Sequence, residues 1–117
     1  MEKLFDAEYR LMEVLWDSGA VNSTQLVHLC EEKLEWNKST TYTVLRKLKY
    51  KGAVRHEDAL VTPVFTREMA VRERGEELER WAGGLTNFMV AFMSGRKLTE
   101  QEALELKRLI DENMGEG

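Results

Sequence analysis

The chain has one cysteine, one proline and no long apolar run. The lone thiol, Cys30, excludes an internal disulfide and a zinc site built on several cysteines. One proline and eight glycines in 117 residues argue against long disordered stretches. No apolar run approaches the roughly 18 residues of a membrane span. Acids already stand at positions 2, 6 and 8 of the opening MEKLFDAEYR. The expectation is a cytoplasmic protein with no membrane insertion. A Gly-rich phosphate loop is missing, and so is a nucleophile with a base beside it, so the residues point away from an enzyme and imply no cofactor. No metal site is expected either. His28 and Cys30 would face different sides of a helix, and Cys30 shares an apolar face with Leu26 and Leu34, so a buried thiol and surface histidines, His56 included, fit better. The acids at Glu76, Glu77 and Glu79 read as a solvated face, and the methionines read as core filler.

What is present is an uneven charge. The net charge is -4. Residues 1–56 hold nine Lys and Arg against eight Asp and Glu, whereas residues 57–117 hold eight against thirteen. An acidic C-terminal half is a poor surface for nucleic acid, so any polyanion must meet the N-terminal half. With 43% hydrophobic residues the chain can build a core, and its length is that of one domain or a small domain with an appendage.

The basic residues concentrate in WNKSTTYTVLRKLK, Trp36 to Lys49, which contains Lys38, Arg46, Lys47 and Lys49 and no acid. The run continues through Lys51 and Arg55. Thr41, Val44, Leu45 and Leu48 recur at i, i+3, i+4 and i+7, the inward face of a helix. Ser39, Thr40, Tyr42, Thr43, Arg46 and Lys47 are left outside. Hydroxyls, a tyrosine and basic groups on one face are the chemistry of a helix in a DNA groove, where hydroxyls bond phosphates and an arginine reaches a guanine edge. Trp16 and Trp36 read as packing residues.

Helix signals surround this segment. Asp6 is placed to cap a helix from Ala7 to about Asp17, with Ala7, Leu11, Val14 and Leu15 on one face and Gly19 at its end. Asn22 or Ser23 would cap a second helix, running to about Glu35, with Leu26, Val27, Cys30 and Leu34 facing inward. Asn37 would cap the third, which ends near Gly52. Three short helices joined by tight polar turns form a helix-turn-helix core. Ala53–Glu57 and Val61–Thr66, joined by Asp58, Ala59 and Leu60, read as a hairpin with Pro63 on an edge strand. The predicted class is mainly α with a small β-hairpin: a winged helix over residues 1–67. Helices over residues 68–117 follow it. There Val71, Leu78, Trp81, Ala82, Leu85, Phe88, Met89 and Phe92 recur at helical steps, with a kink or break at Gly83-Gly84. Thr99 and Glu102 form a capping box for a last helix to about Asn113, whose face is Ala103, Leu106 and Ile110. Two short amphipathic helices bury little by themselves. A second copy of the chain is the economical partner, making Leu78, Trp81, Leu85, Phe88, Met89, Phe92, Leu106 and Ile110 the expected dimer surface.

These residues resemble the BlaI/MecI/CopY family of penicillinase-type repressors, nearly end to end. The resemblance is carried by Asp6-Ala7-Glu8, Met12-Glu13-Val14-Leu15-Trp16, Trp36, Thr40-Thr41-Tyr42-Thr43-Val44-Leu45, Leu48 and Lys51-Gly52-Ala53. It implies a winged-helix repressor that dimerises through its C-terminal helices and binds a double-stranded operator with two-fold symmetry. It places Thr40, Thr43, Arg46 and Lys47 at DNA, with Tyr42 between them; Lys38, Ser39 and Lys49 join them as candidate contacts. It also implies a cleavage point, because in the penicillinase branch a membrane sensor-protease system cuts an Asn-Phe bond in the dimerisation region, and Asn87-Phe88 lies in the matching place. Two departures stand out. The wing tip is Glu57-Asp58-Ala59-Leu60 where the family usually has glycine and basic residues. The paired cysteines of the copper-sensing branch are missing. Two other readings stay open: a winged-helix regulator that responds to a small molecule, and a winged-helix module that docks an acidic protein through its basic helix.

Overall fold

A computed structural model describes residues 2–115. The elements run α1 (Asp6–Ser18), β1 (Val21–Asn22), α2 (Ser23–Leu34), α3 (Lys38–Tyr50), β2 (Val54–Glu57), β3 (Leu60–Pro63), α4 (Arg67–Ala82), α5 (Leu85–Met93) and α6 (Glu100–Glu112). The chain divides into two compact units, Met1–Glu77 and Leu78–Gly117.

In the first unit the three helices begin and end where local chemistry stops them. The Asn22 side chain accepts from the Gln25 N–H at the start of α2, and Asn37 does the same for Thr40 at the start of α3, each at 2.7 Å. Gly19 closes α1 with φ 77° and Gly52 follows α3 with φ 78°, a region in which a Cβ is strained. Asp6 is not a cap. It is the first helical residue, and Phe5 holds the cap position, because the Glu8 carboxylate reaches back to accept the Phe5 N–H at 2.8 Å. That contact turns α1 so that Glu8, Leu11, Met12, Val14 and Leu15 are buried while Ala7 is exposed.

The core joins Leu11, Met12 and Leu15 of α1, Leu26 and Cys30 of α2, and Val44, Leu45 and Leu48 of α3. Val54, Val61, Phe65 and Ala70 close it from the sheet and α4. Truncating any of the large fully buried aliphatics to alanine costs roughly 2–5 kcal/mol. Trp16 packs on this core, its Nε1 donating to the Phe65 carbonyl at 2.9 Å, and Trp36 packs on it too. Of the methionines, Met12 is core, whereas Met69 and Met114 are exposed.

The hairpin is part of a three-stranded antiparallel sheet of order β1-β3-β2. Val21 pairs with Val61 and Asn22 with Leu60, which makes β3 the central strand and not an edge. Pro63 is nevertheless accommodated. The next residue, Val64, donates its N–H to Ala53 on the β2 side, so by alternation the Pro63 nitrogen points the other way. There β1 is too short to need it, ending opposite Leu60 and Val61. The turn is tighter than the sequence implies. Only Asp58 and Ala59 lie between the strands, with φ of 50° and 65°, the mirror-image turn that matches strand twist.

In the second unit Gly83 and Gly84 break the helical run outright, with φ of 89° and 130°. The Thr99–Glu102 capping box is formed, with both reciprocal bonds at 2.9–3.0 Å. Neither α5 nor α6 has a buried residue. Among the described residues no helix is long and apolar enough to cross a membrane.

Candidate nucleic-acid interface

The third helix sorts its side chains by period. Thr41, Val44, Leu45 and Leu48 are buried, as their spacing predicts. At 3.6 residues per turn, Ser39, Thr43, Arg46 and Tyr50 form the stripe opposite them. Thr40 and Lys47 flank the stripe on one side. Lys38, Tyr42 and Lys49 flank it on the other. All of these are exposed except Tyr42, which is half-buried and rests on the core. The outward face therefore brings together Lys38, Ser39, Thr40, Thr43, Arg46, Lys47 and Lys49, with Tyr42 at its edge. The first turn carries no acid and the last turn carries Lys47 and Lys49. A helix start without carboxylates leaves its partial positive charge open to a phosphate.

Two hydrogen bonds organise the middle of the stripe. The Thr43 hydroxyl donates to the Ser39 carbonyl at 2.9 Å, and Arg46 Nη2 donates to Thr43 Oγ1 at 3.4 Å. The guanidinium thus lies back along the helix, and Thr43 spends its proton inside the helix. Beneath them Thr41 is fully buried and donates to the Asn37 carbonyl at 3.1 Å. Burial pushes the Cys30 thiol above its ordinary range, and the neighbouring Thr41 hydroxyl partly opposes the shift.

One member of the basic run does not belong to this face. The Lys51 ammonium turns inward to the Glu8 carboxylate at 2.6 Å and to the Lys3 carbonyl at 2.6 Å, and it lies 4.5 Å from the centre of the Phe5 ring. Its side chain is 14% exposed and that of Glu8 is 3% exposed. Lys51 is a structural ion pair between α1 and the end of α3, and its charge is already compensated. In the other direction, Tyr50 was given no role by its sequence context, yet it is 89% exposed on the central stripe. Its spacing from Ser39, Thr43 and Arg46 is the signal that marks it. The wing tip is acidic at its surface, with Glu57 and Asp58 both exposed.

A model of the penicillinase repressor family matches residues 4–112. The chain belongs to the penicillinase repressor family. The penicillinase repressor of Bacillus licheniformis is 26% identical over 117 residues, covering 95% of this chain and 91% of that protein. A 16.5 kDa protein of Latilactobacillus sakei is 28% identical over 112 residues, covering 89% of this chain and 75% of its own length. The solution structure of the DNA-binding domain of the repressor BlaI matches with a TM-score of 0.52 at 26% identity, covering 59% of this chain and 93% of that domain. The fold of the first unit is a winged helix.

Within the second unit, the apolar residues predicted to pair are mostly on the surface. Trp81 is 73% exposed, and Leu78, Leu85, Phe92 and Ile110 are exposed as well. Phe88, Met89 and Leu106 are half-buried. Phe88 stacks on Phe92 with ring centres 5.7 Å apart. Asn87 is exposed in the first turn of α5, its side-chain amide donating to the Gly83 carbonyl at 3.4 Å. His28 is exposed and Cys30 is buried, so the two do not converge. Among the described residues no group of three or more His, Cys, Asp or Glu is arranged to hold a metal ion.

Proposed function

We infer that this member of the penicillinase repressor family is a DNA-binding repressor that acts as a homodimer on a palindromic operator. The observation that carries the reading is the outward face of α3: Lys38, Arg46, Lys47 and Lys49 exposed with Ser39, Thr40 and Thr43, and no acid among them. Residues 1–67 seat α3 in the major groove. Arg46, held by Thr43, reads a base edge, and Lys38, Lys47, Lys49 and Thr40 hold phosphates. Residues 68–117 pair two copies. Support for pairing is the exposed apolar surface at Trp81, Leu85, Val90, Phe92 and Ile110, which a lone chain would leave in water. A dimer presents two recognition helices about one helical turn of DNA apart. Repression follows from covering a promoter in the cytoplasm.

Release follows from loss of the dimer. A cut at Asn87-Phe88 by a membrane sensor-protease would separate Phe88, Phe92 and the whole of α6 from the DNA-binding unit. A protease needs extended chain, and this bond sits in the first turn of α5 just after the Gly83-Gly84 break, where a helix opens most readily.

The test is selection from random duplex DNA by the purified full chain at low and moderate salt. An enriched palindrome with half-sites about one turn apart is the expected result. Binding without sequence preference that vanishes at moderate salt would refute it. The exposed acids Glu57 and Asp58 at the wing tip favour one rival, a protein-docking module; absence of all DNA affinity at low salt would favour that reading.

A further inference from the structure

Where α3 ends, the surface is no longer only basic. Tyr50, the last helical residue, is 89% exposed, and Phe5, at the start of α1, is 62% exposed. Both rings line one shallow depression whose rim also carries Arg46 and Lys47. The two charges at its base, Glu8 and Lys51, neutralise each other at 2.6 Å. An open apolar hollow with exposed cations at its edge fits a ligand that is itself apolar in the middle and anionic at the side.

Helix length decides which part of a duplex that is. This inference rests on the reading of α3 as the groove helix. Thirteen residues rising about 1.5 Å each span roughly 20 Å, whereas the major groove is about 12 Å wide. With Thr43 and Arg46 over base edges, Tyr50 lies four to seven residues further on, roughly 6–10 Å along the axis. A recognition helix meets the base edges with its N-terminal residues, so on this reading its last residue stands toward the groove's rim, where the deoxyribose and phosphate of one strand rise. We propose that the hollow between Tyr50 and Phe5 seats one stretch of the DNA sugar-phosphate backbone. The rings cover a deoxyribose, the Tyr50 hydroxyl donates to a phosphate oxygen, and Lys47 closes the side. The contact fixes how far α3 enters the groove and carries no sequence information of its own.

The experiment compares full-length Tyr50→Ala, Tyr50→Phe and Phe5→Leu with the unaltered chain. Each is titrated against a selected operator and against an unrelated duplex of equal length, over a range of salt. Tyr50→Ala should weaken both duplexes by the same factor, about tenfold for a lost hydrogen bond to a charged group. The slope of affinity against salt should not change, because no cation is removed. Tyr50→Phe should lose most of that factor, since it keeps the ring and drops the hydroxyl, and Phe5→Leu should lose less. On the operator, replacing one phosphate by a neutral methylphosphonate should weaken the unaltered chain more than it weakens Tyr50→Ala, which keeps Lys47 but has already lost the hydroxyl. The thermal midpoint of Tyr50→Ala should match the unaltered chain, as its ring is in water. Loss confined to the operator would overturn the proposal and make Tyr50 a base reader. Unchanged affinity for both duplexes would overturn it as well, leaving the repressor reading intact. If the unaltered chain binds no DNA at low salt, the seat and the repressor reading fall together.

Discussion

The Glu8–Lys51 pair invites a substitution test whose two arms pull in opposite directions. Lys51→Met removes the ammonium from a carboxylate that is 3% exposed. Glu8 Oε1 then keeps the Phe5 N–H as its one remaining partner, and Glu8 Oε2, buried, has no hydrogen bond even in the intact chain. An uncompensated buried charge costs about 3–5 kcal/mol. For a unit of this size each kcal/mol lowers the melting midpoint by roughly 4–8 °C, so Lys51→Met should drop it by about 12 °C or more. The double variant Glu8→Leu with Lys51→Met behaves differently. Desolvating both ions offsets most of their attraction, and the unsatisfied oxygen disappears with them. The double variant should therefore melt within a few degrees of the unaltered chain or above it. Thermal unfolding followed by circular dichroism reads both arms. A Lys51→Met midpoint within 2–3 °C of the unaltered chain would show that the charge reaches water and that the pair is superficial, by the same conversion. A double variant as unstable as the single would show that packing around the two stems, and not charge burial, sets the effect.

Arg46→Ala should weaken operator binding by roughly 1–3 kcal/mol and relax preference at one base position; loss spread evenly over all sequences would demote Arg46 to a phosphate contact. Thr43→Val, which keeps the shape and removes the anchor for the guanidinium, should cut operator affinity more than affinity for random duplex, read in the same titrations. Exchanging Glu57 and Asp58 for lysine should tighten binding to any duplex and steepen its salt dependence, and an unchanged slope would mean the wing stays clear of the backbone. Ala59→Gly should stabilise the fold by about 1 kcal/mol in urea unfolding, because Ala59 holds φ 65° with a side chain. Burial raises the Cys30 thiol, so the folded chain keeps a proton that the unfolded chain loses above its ordinary value of 9.0. Stability should therefore fall as pH rises through that region, and Cys30→Ala should show a shallower decline.

Much of this was legible because the deciding forces are local. The Asn37 cap, the inward set Thr41, Val44, Leu45 and Leu48, the Gly83-Gly84 break and the Thr99–Glu102 box each involve residues a turn or so apart, and the structure has them all. What escaped involves distance in the chain. Val21–Asn22 is too short to show alternation, and its strand character exists only because Val61 and Leu60 lie beside it. Lys51 looks like one more cation of the basic run, but its partner stands 43 positions away. Pro63 tolerates a central strand through the direction of one nitrogen, which the sequence does not reveal. Tyr50 is within reach of the sequence, since its spacing places it on the outward stripe, but the hydroxyl-and-base cluster ends before it and draws attention to the residues upstream.

The wing of this protein has little freedom to change length. Hairpin tips are ordinarily where insertions accumulate. Here the Ala59 carbonyl accepts the Ser23 N–H at 2.8 Å, at the first residue of α2, and the preceding Asn22 both pairs with Leu60 and caps that helix. A residue inserted between Asp58 and Ala59 has to be taken up in the turn itself, because any slip of β3 would cost Ala59 its bond to Ser23 and Leu60 its pairing with Asn22. Descendants of this chain can adjust the tip's charge freely, but its reach is tied to the register of the helix-turn-helix itself.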